Sequence, residues 1–211
     1  MDIRAILMGL TFALIWSSAF TSARIIVLQA PPLTISSLRF AAAGIIAITI
    51  AYALGQRIQL DRKKWRAIII FGICQNALYL GLFFMAMQRI EASLASIIAS
   101  AMPLIVGLAS ALFLGERLGK IGWIGLVVGF IGVALIMGAR MSNGIDVVGI
   151  IFCIIGVTAL AIAALTVHAT SSKGNVFMVV GIQMLIGSLA LFIPAILFEV
   201  PHFTWTGSLL A

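Results

Sequence analysis

The sequence predicts an all-α polytopic membrane bundle of about seven transmembrane helices. Composition comes first: 63% of the 211 residues are hydrophobic and 9% charged, whereas soluble domains carry about 25% charged residues. Second, the apolar residues fall into runs of spanning length, about 20 positions each. Third, the charges collect at the ends of those runs and between them. The 20 Gly follow no collagen-like or linker-like repeat. Seven spans use about 140 positions, which leaves short loops and no room for a soluble catalytic head or a DNA-binding module.

The spans lie at 5–27, 33–54, 67–87, 93–114, 121–138, 147–168 and 177–198. Before the first stands only Met1-Asp2-Ile3-Arg4. The small residues from Ala19 to Ala23 raise a cleavable signal peptide, but the near-neutral start and the length of the run favour a retained helix. Pro31-Pro32 interrupts the chain before the second span, because proline lacks an N–H and restricts its predecessor. Gly55 to Lys64 forms the longest polar loop. Gly115-Glu116-Arg117-Leu118-Gly119-Lys120 makes a tight turn, and Ser142-Asn143-Gly144 and Ser171 to Asn175 carry turn chemistry. Short connections make consecutive helices antiparallel neighbours.

Lys and Arg number 13 against 6 Asp and Glu, a net charge of +7. Nine lie on one side of the predicted membrane: Arg4, Arg57, Arg62, Lys63, Lys64, Arg66, Arg117, Lys120 and Lys173. Arg24, Arg39, Arg89 and Arg140 lie on the other. Basic residues accumulate in cytoplasmic loops, so this bias predicts a cytoplasmic N-terminus in the cell (inner or plasma) membrane. It also accounts for the basic charge without a nucleic-acid partner. Cys74 and Cys153 sit in apolar runs with no ligand pair nearby, so they read as small packed hydrophobes, not as a disulfide or metal site. No metal or cofactor is expected.

Five spans close on Gly138, and the sixth echoes the first: Ala13-Leu14 and Ala23 recur as Ala159-Leu160 and Ala169. Five is odd, so a second five-helix unit enters the membrane from the opposite side. That is the inverted repeat of many secondary transporters, whose substrate site lies between the halves.

Several stretches resemble the EamA family of the drug/metabolite transporter superfamily. They are Trp16-Ser17-Ser18-Ala19-Phe20, Pro31-Pro32 with Leu38-Arg39-Phe40, and the block from Ala86 to Gly132. That block holds Ala92-Ser93-Leu94-Ala95-Ser96, Pro103-Leu104, Phe113-Leu114-Gly115-Glu116-Arg117 and Trp123-Ile124-Gly125. The likeness is good over 5–138 and loose over 147–198. It implies ten helices in two inverted repeats, with 1–138 as the first and 147–211 as an incomplete second. It further implies a permease or exporter of small metabolites, amino acids or drug-like compounds, working by alternating access. The alternative is a truncated, transport-inactive fragment that serves at most as an assembly partner. Thr204 to Leu210 reads as the approach to an eighth helix.

Absences narrow the chemistry. The span interiors hold no Asp, Glu or Lys. Without an intramembrane carboxylate, the usual proton relay is missing, and facilitated export or exchange is expected. Paired aspartates of an intramembrane protease, a retinal lysine in the last span and a nucleophile placed beside His168 or His202 are missing too. The chain is therefore expected not to be an enzyme, and no catalytic residue is assigned.

The substrate-pathway candidates are Trp16, Ser17, Asn76, Tyr79, Ser100 and Pro103. Trp16 lies mid-helix among Ser17, Ser18, Thr21 and Ser22; it is either a pathway wall or a packed contact. Asn76 and Tyr79, three apart, share one face of a helix and offer either substrate hydrogen bonds or interhelical ones. Pro103 frees a carbonyl near Ala99, with Ser100 beside it. Bent helices at depth often mark binding sites, but a static kink is the preferred interpretation here.

Gating or structural roles fall to Arg24, Arg39, Glu116 and Arg117. Arg24 and Arg39 either draw anions to the outer mouth or, as is preferred, snorkel and cap carbonyls. Glu116-Arg117 is expected to form an ion pair. Gly107, Ala111 and Gly115, with the Gly125–Gly129 GxxxG, read as packing of the fourth and fifth spans, and less strongly as a homodimer face. The expected partners are a small-molecule substrate and the lipid bilayer.

Overall fold

The computed structural model describes residues 3–57, 62–113, 115–116, 118–140, 146–170 and 175–199. All the regular structure among them is helical: α1 Ile3–Val27, α2 Pro32–Ala53, α3 Arg62–Phe71, a π-helical segment Gly72–Tyr79, α4 Leu80–Ala86, α5 Ala92–Ser100, α6 Met102–Phe113, α7 Lys120–Arg140, α8 Val147–Thr170 and α9 Val176–Phe198. Grouped into continuous runs, they give seven helices long and apolar enough to cross a membrane.

The main departures from expectation lie in the third and fourth spans. The third begins at Arg62, five residues before the expected 67, so Arg62, Lys63 and Lys64 belong to the helix and not to the loop. Hydropathy marks the membrane core, whereas the helix continues into the polar interface. The same span carries the π segment, which nothing local in the sequence announces. The fourth span divides at Ala101 into α5 and α6. Pro103 has no N–H to continue the ladder, and the Leu104 and Ile105 amides donate instead to the Ala101 carbonyl at 3.0 and 3.1 Å.

Helix ends are closed by identifiable groups. Gly55, at φ +69°, ends α2 in the left-handed region. The Gln56 amide donates to Ala51 O at 2.9 Å and the Gly55 amide to Tyr52 O at 3.0 Å, the paired bonds of a Schellman motif. At the start of α2, Pro31 has no capping side chain. The carboxylate of Glu199 does that work, accepting from the Leu33 and Thr34 amides at 2.7 Å each. Asp146 caps α8 by accepting from the Gly149 amide at 2.8 Å.

The core sits around the third span. Val27, Phe83, Met87, Cys153 and Val157 join α1, α4 and α8 in one buried cluster. Leu33, Phe40, Ala77, Leu191 and Ala195 join α2, the π segment and α9 in another. α2 and α9 run antiparallel along an intimate seam. Ser37 Oγ donates to Ser188 O at 3.0 Å, and Ser188 Oγ donates to Ser37 O at 2.8 Å. Farther along, a Cβ added to Gly44 would stand 3.0 Å from Gly181 O, and one added to Gly181 would stand 3.0 Å from Gly44 O. The seam is reciprocal at both levels. α7 packs lightly against α5 and α6. A Cβ on Gly129 would meet Leu104 at 2.7 Å, whereas Gly125 faces open space.

Candidate substrate groove

Two adjoining cavities lie where α1, α2, α4 and α5 converge, and Trp16 and Phe20 line both. The smaller is aromatic, walled by Trp16, Phe20, Tyr79, Phe83 and Phe84, with Arg39 at its edge. The larger, about 400 Å³, is lined by hydroxyls: Ser17, Thr21, Ser93, Ser96 and Ser100. That volume lies within the range of small-molecule sites.

The walls are built by helical spacing. Phe12, Trp16 and Phe20 recur every four residues and therefore stack along one face of α1. Ring centroids are 6.0 Å apart for Phe12–Trp16 and 5.8 Å for Trp16–Phe20. The row continues across the helix interface to Phe83, 6.2 Å from Phe20 and edge-on, and from Phe83 to Tyr79 at 4.7 Å. Edge-on and offset rings are the favoured aromatic arrangements. Trp16 keeps 38% of its surface accessible.

Arg39 is the eighth residue of α2. At about 1.5 Å per residue it stands roughly 10 Å from the helix start, and its side chain is exposed. Its guanidinium lies 5.1 Å from the Phe40 ring centroid and 5.4 Å from that of Phe84. Among the described residues it pairs with no carboxylate. Arg24 behaves differently. Its guanidinium donates to the main-chain carbonyls of Met87 and Ile90, at the end of the third span. That is the carbonyl-capping role, and it leaves Arg24 outside the groove lining.

Trp16, Ser17, Tyr79 and Ser100 therefore meet around one groove, and Asn76 and Pro103 are not among the residues lining it. Asn76 is 6% exposed. Its Nδ2 donates to Gln183 O of α9 at 3.0 Å, and its Cβ packs on Gly187. The expectation that Asn76 and Tyr79 share a face is corrected by the π segment. Its wider i→i+5 winding turns less per residue, so residues three apart diverge. Asn76 faces α9 while Tyr79 faces the groove. Ser100 Oγ donates to Ile97 O at 2.6 Å and Ser96 Oγ to Ser93 O at 2.8 Å. Both hydroxyls thus present oxygen lone pairs to the cavity.

Glu116 is exposed, and its amide donates to Ser110 O at 3.2 Å. Arg117 lies outside the described residues, as do Lys173, His202 and the stretch from Thr204 to Leu210. Phe20, Phe83 and Phe84 escape a reading by polar residues. The signal that finds them is their four-residue spacing from Trp16 and Tyr79, with Phe84 following Phe83.

Comparison with known proteins agrees with this architecture. Residues 3–138 match the EamA-like transporter family. An uncharacterized transporter of Archaeoglobus fulgidus is 31% identical over 84% of this chain and 62% of its own length. The uncharacterized transporter YvbV of Bacillus subtilis is 26% identical over 85% of this chain and 59% of its own length. The chain thus spans about three fifths of the length of these two relatives. A solved crystal structure with 21% identity superposes at a TM-score of 0.58, covering 92% of this chain and 72% of that one, which speaks to the fold alone. With its seven apolar helices and a family match over more than half its length, the chain belongs to the EamA-like transporter family.

Proposed function

We propose that the chain carries small molecules across the inner or plasma membrane, and that the groove at Trp16 is part of its substrate path. One observation carries this reading. The accessible Trp16 divides an aromatic cavity lined by Arg39, which pairs with no carboxylate among the described residues, from a hydroxyl-lined one of about 400 Å³. Polar groups placed at membrane depth face protein or a water-filled cavity and mark transport paths.

Alternating access is the mechanism we infer. The reciprocal contacts of Ser37 with Ser188 and Gly44 with Gly181 support an approximate two-fold relation between α2 and α9. Such a relation is expected if 1–138 and the segment from 147 onward are inverted repeats. The charge bias supports a cytoplasmic N-terminus. The open face around Gly125 is compatible with a homodimer contact.

Proteoliposome flux of labelled metabolites and organic acids tests the reading. Flux through the 211-residue chain, reduced by Trp16→Ala and Ser17→Leu in protein that still folds, is the expected result. Flux only from a longer form would favour an assembly role for this chain alone. Flux indifferent to both substitutions would remove the groove from the path.

A further inference from the structure

We propose that the outward face of α3 docks an anionic phospholipid of the cytoplasmic leaflet, with the lipid phosphate on Arg62 and Arg66 and the acyl chains along Ile69, Ile70 and Ile73.

α3 sorts its residues by side. Ala67 and Ile68 are buried, and the helix packs on α8 and α9. Arg62, Trp65, Arg66, Ile69, Ile70 and Ile73 are exposed. At about 3.6 residues per turn those six fall in one sector of the helix, with Lys63 at its edge. Arg62 and Arg66 are four apart and stand one above the other. Ile69, Ile70 and Ile73 continue the same face. From Arg62 to Ile73 the rise is roughly 16 Å, close to half the roughly 30 Å of a hydrocarbon core. The face is basic at the membrane rim and apolar below it, over about the depth of one leaflet.

The charge on this face is uncompensated. Residues 61 to 66 hold four basic side chains and one acid, Asp61, and the first turn of α3 holds no acid. Among the described residues Arg62, Lys63 and Arg66 enter no ion pair. Like charges four apart on a helix repel, and a helix start adds positive charge instead of offsetting it. A guanidinium fits a phosphate with two parallel bonds. A zwitterionic headgroup would bring its own cation to the same cluster, so a headgroup without one is favoured. Trp65, on the same face, is of the type that anchors at headgroup level. The other described helix starts on this side differ. α7 begins with one cation, Lys120, and α9 begins Val176-Phe177-Met178 with none.

Native mass spectrometry of the 211-residue chain tests this, with phosphatidylglycerol and phosphatidylcholine of identical acyl chains offered in equal amounts. Phosphatidylglycerol adducts are expected to be favoured by about fivefold or more. Arg62→Gln with Arg66→Gln should remove most of that preference. Arg66→Gln alone should weaken it more than Lys120→Gln, which removes the same charge elsewhere on the same side. In bilayers, brominated phosphatidylglycerol should quench Trp65 more than brominated phosphatidylcholine. That signal is read as the difference between the unsubstituted chain and Trp65→Phe.

Equal adducts of the two lipids overturn the proposal. A preference that survives the double arginine change, or that falls equally with Lys120→Gln, overturns the site and leaves only net charge. Equal quenching of Trp65 by the two lipids overturns the placement on this face. Binding of glycerol 3-phosphate as strong as that of the lipid would make this a free-phosphate site. A dimer lost in the double variant, with lipid preference unchanged, would make it a contact between copies. The comparison of lipids on the unsubstituted chain stands even if an arginine variant fails to fold.

Discussion

Glu199 and Thr34 are held together by two bonds of 2.7 Å, one from the Thr34 amide and one from its hydroxyl, both to the same carboxylate oxygen. The other oxygen takes the Leu33 amide. A residue at the end of α9 thus supplies the cap that Pro31 cannot give to α2. Anionic groups favour helix N-termini, and hydrogen bonds to charged groups are worth about 1.5–3 kcal/mol. Glu199→Ala is expected to cost about 2 kcal/mol in a detergent unfolding titration. Glu199→Gln, which keeps an acceptor and loses the charge, should cost less. Equal midpoints for all three proteins would show that the clasp contributes nothing.

Gly187 and Asn76 form the tightest part of the contact between the π segment and α9. A Cβ on Gly187 would collide with the Asn76 side chain and lie 3.1 Å from the Gly72 carbonyl. Overpacking of this kind costs about 1–3 kcal/mol. Asn76→Ala removes one interhelical hydrogen bond, a class averaging about 0.6 kcal/mol in membranes. Gly187→Ala is therefore expected to lower the unfolding midpoint more than Asn76→Ala. The opposite order would mean that the amide bond, not the close approach, fixes this interface.

Much of this architecture can be read locally. Spanning helices follow from apolar runs, and the division of the fourth span follows from a missing proline N–H at position 103. The Trp16 groove is foreshadowed by the hydroxyls around it. The π segment is not legible, because its winding is tied to how Gly72 and Asn76 meet α9, about 110 residues away. The Glu199 clasp spans 165 residues for the same reason. In sequence Arg24 and Arg39 look alike, and only packing shows one capping carbonyls and the other facing rings.

Asp146 links the start of α8 to Arg89, whose Nη1 lies 3.1 Å from Oδ2. The Gly149 amide, and then the Arg89 side chain, hold its carboxyl below the usual carboxylate range. A depressed pKa gives stability that is present above the unfolded value, about 3.9. It is lost as the pH falls through the lower folded value. Thermal melting of the wild type should therefore worsen below about pH 4. Asp146→Asn should show a shallower loss over the same window, since an amide side chain has no charge to neutralise. Parallel acid profiles for the two proteins would assign the acid sensitivity to other carboxylates.

Pro103 and Ser100 together set the break that lets α5 present its hydroxyls to the groove. With alanine at 103 the missing donor returns, and the ladder can run through Ala101. Removing proline from a helix interior is worth up to about 3 kcal/mol, less near a helix start. Pro103→Ala is expected to leave the protein at least as stable while lowering proteoliposome flux, because a straightened span shifts Ser96 and Ser100. Unchanged flux with raised stability would identify the break as passive.

Ser37 and Ser188 offer a test of the α2–α9 seam through coupling. Each hydroxyl donates to the other's main-chain carbonyl, and the two oxygens are 3.3 Å apart. Removing either hydroxyl deletes one donor bond and loosens the geometry that holds the second. Interhelical bonds in membranes reach about 1.7 kcal/mol at most, so each single alanine should cost roughly 1 kcal/mol. The double alanine should cost less than the sum, because the second change removes a bond already weakened. A double-mutant cycle in a detergent unfolding titration reads the difference directly. If the seam moves during transport, the double variant should also change flux more than its modest stability loss accounts for. Additive costs and unchanged flux would reduce the reciprocal pair to two independent helix contacts.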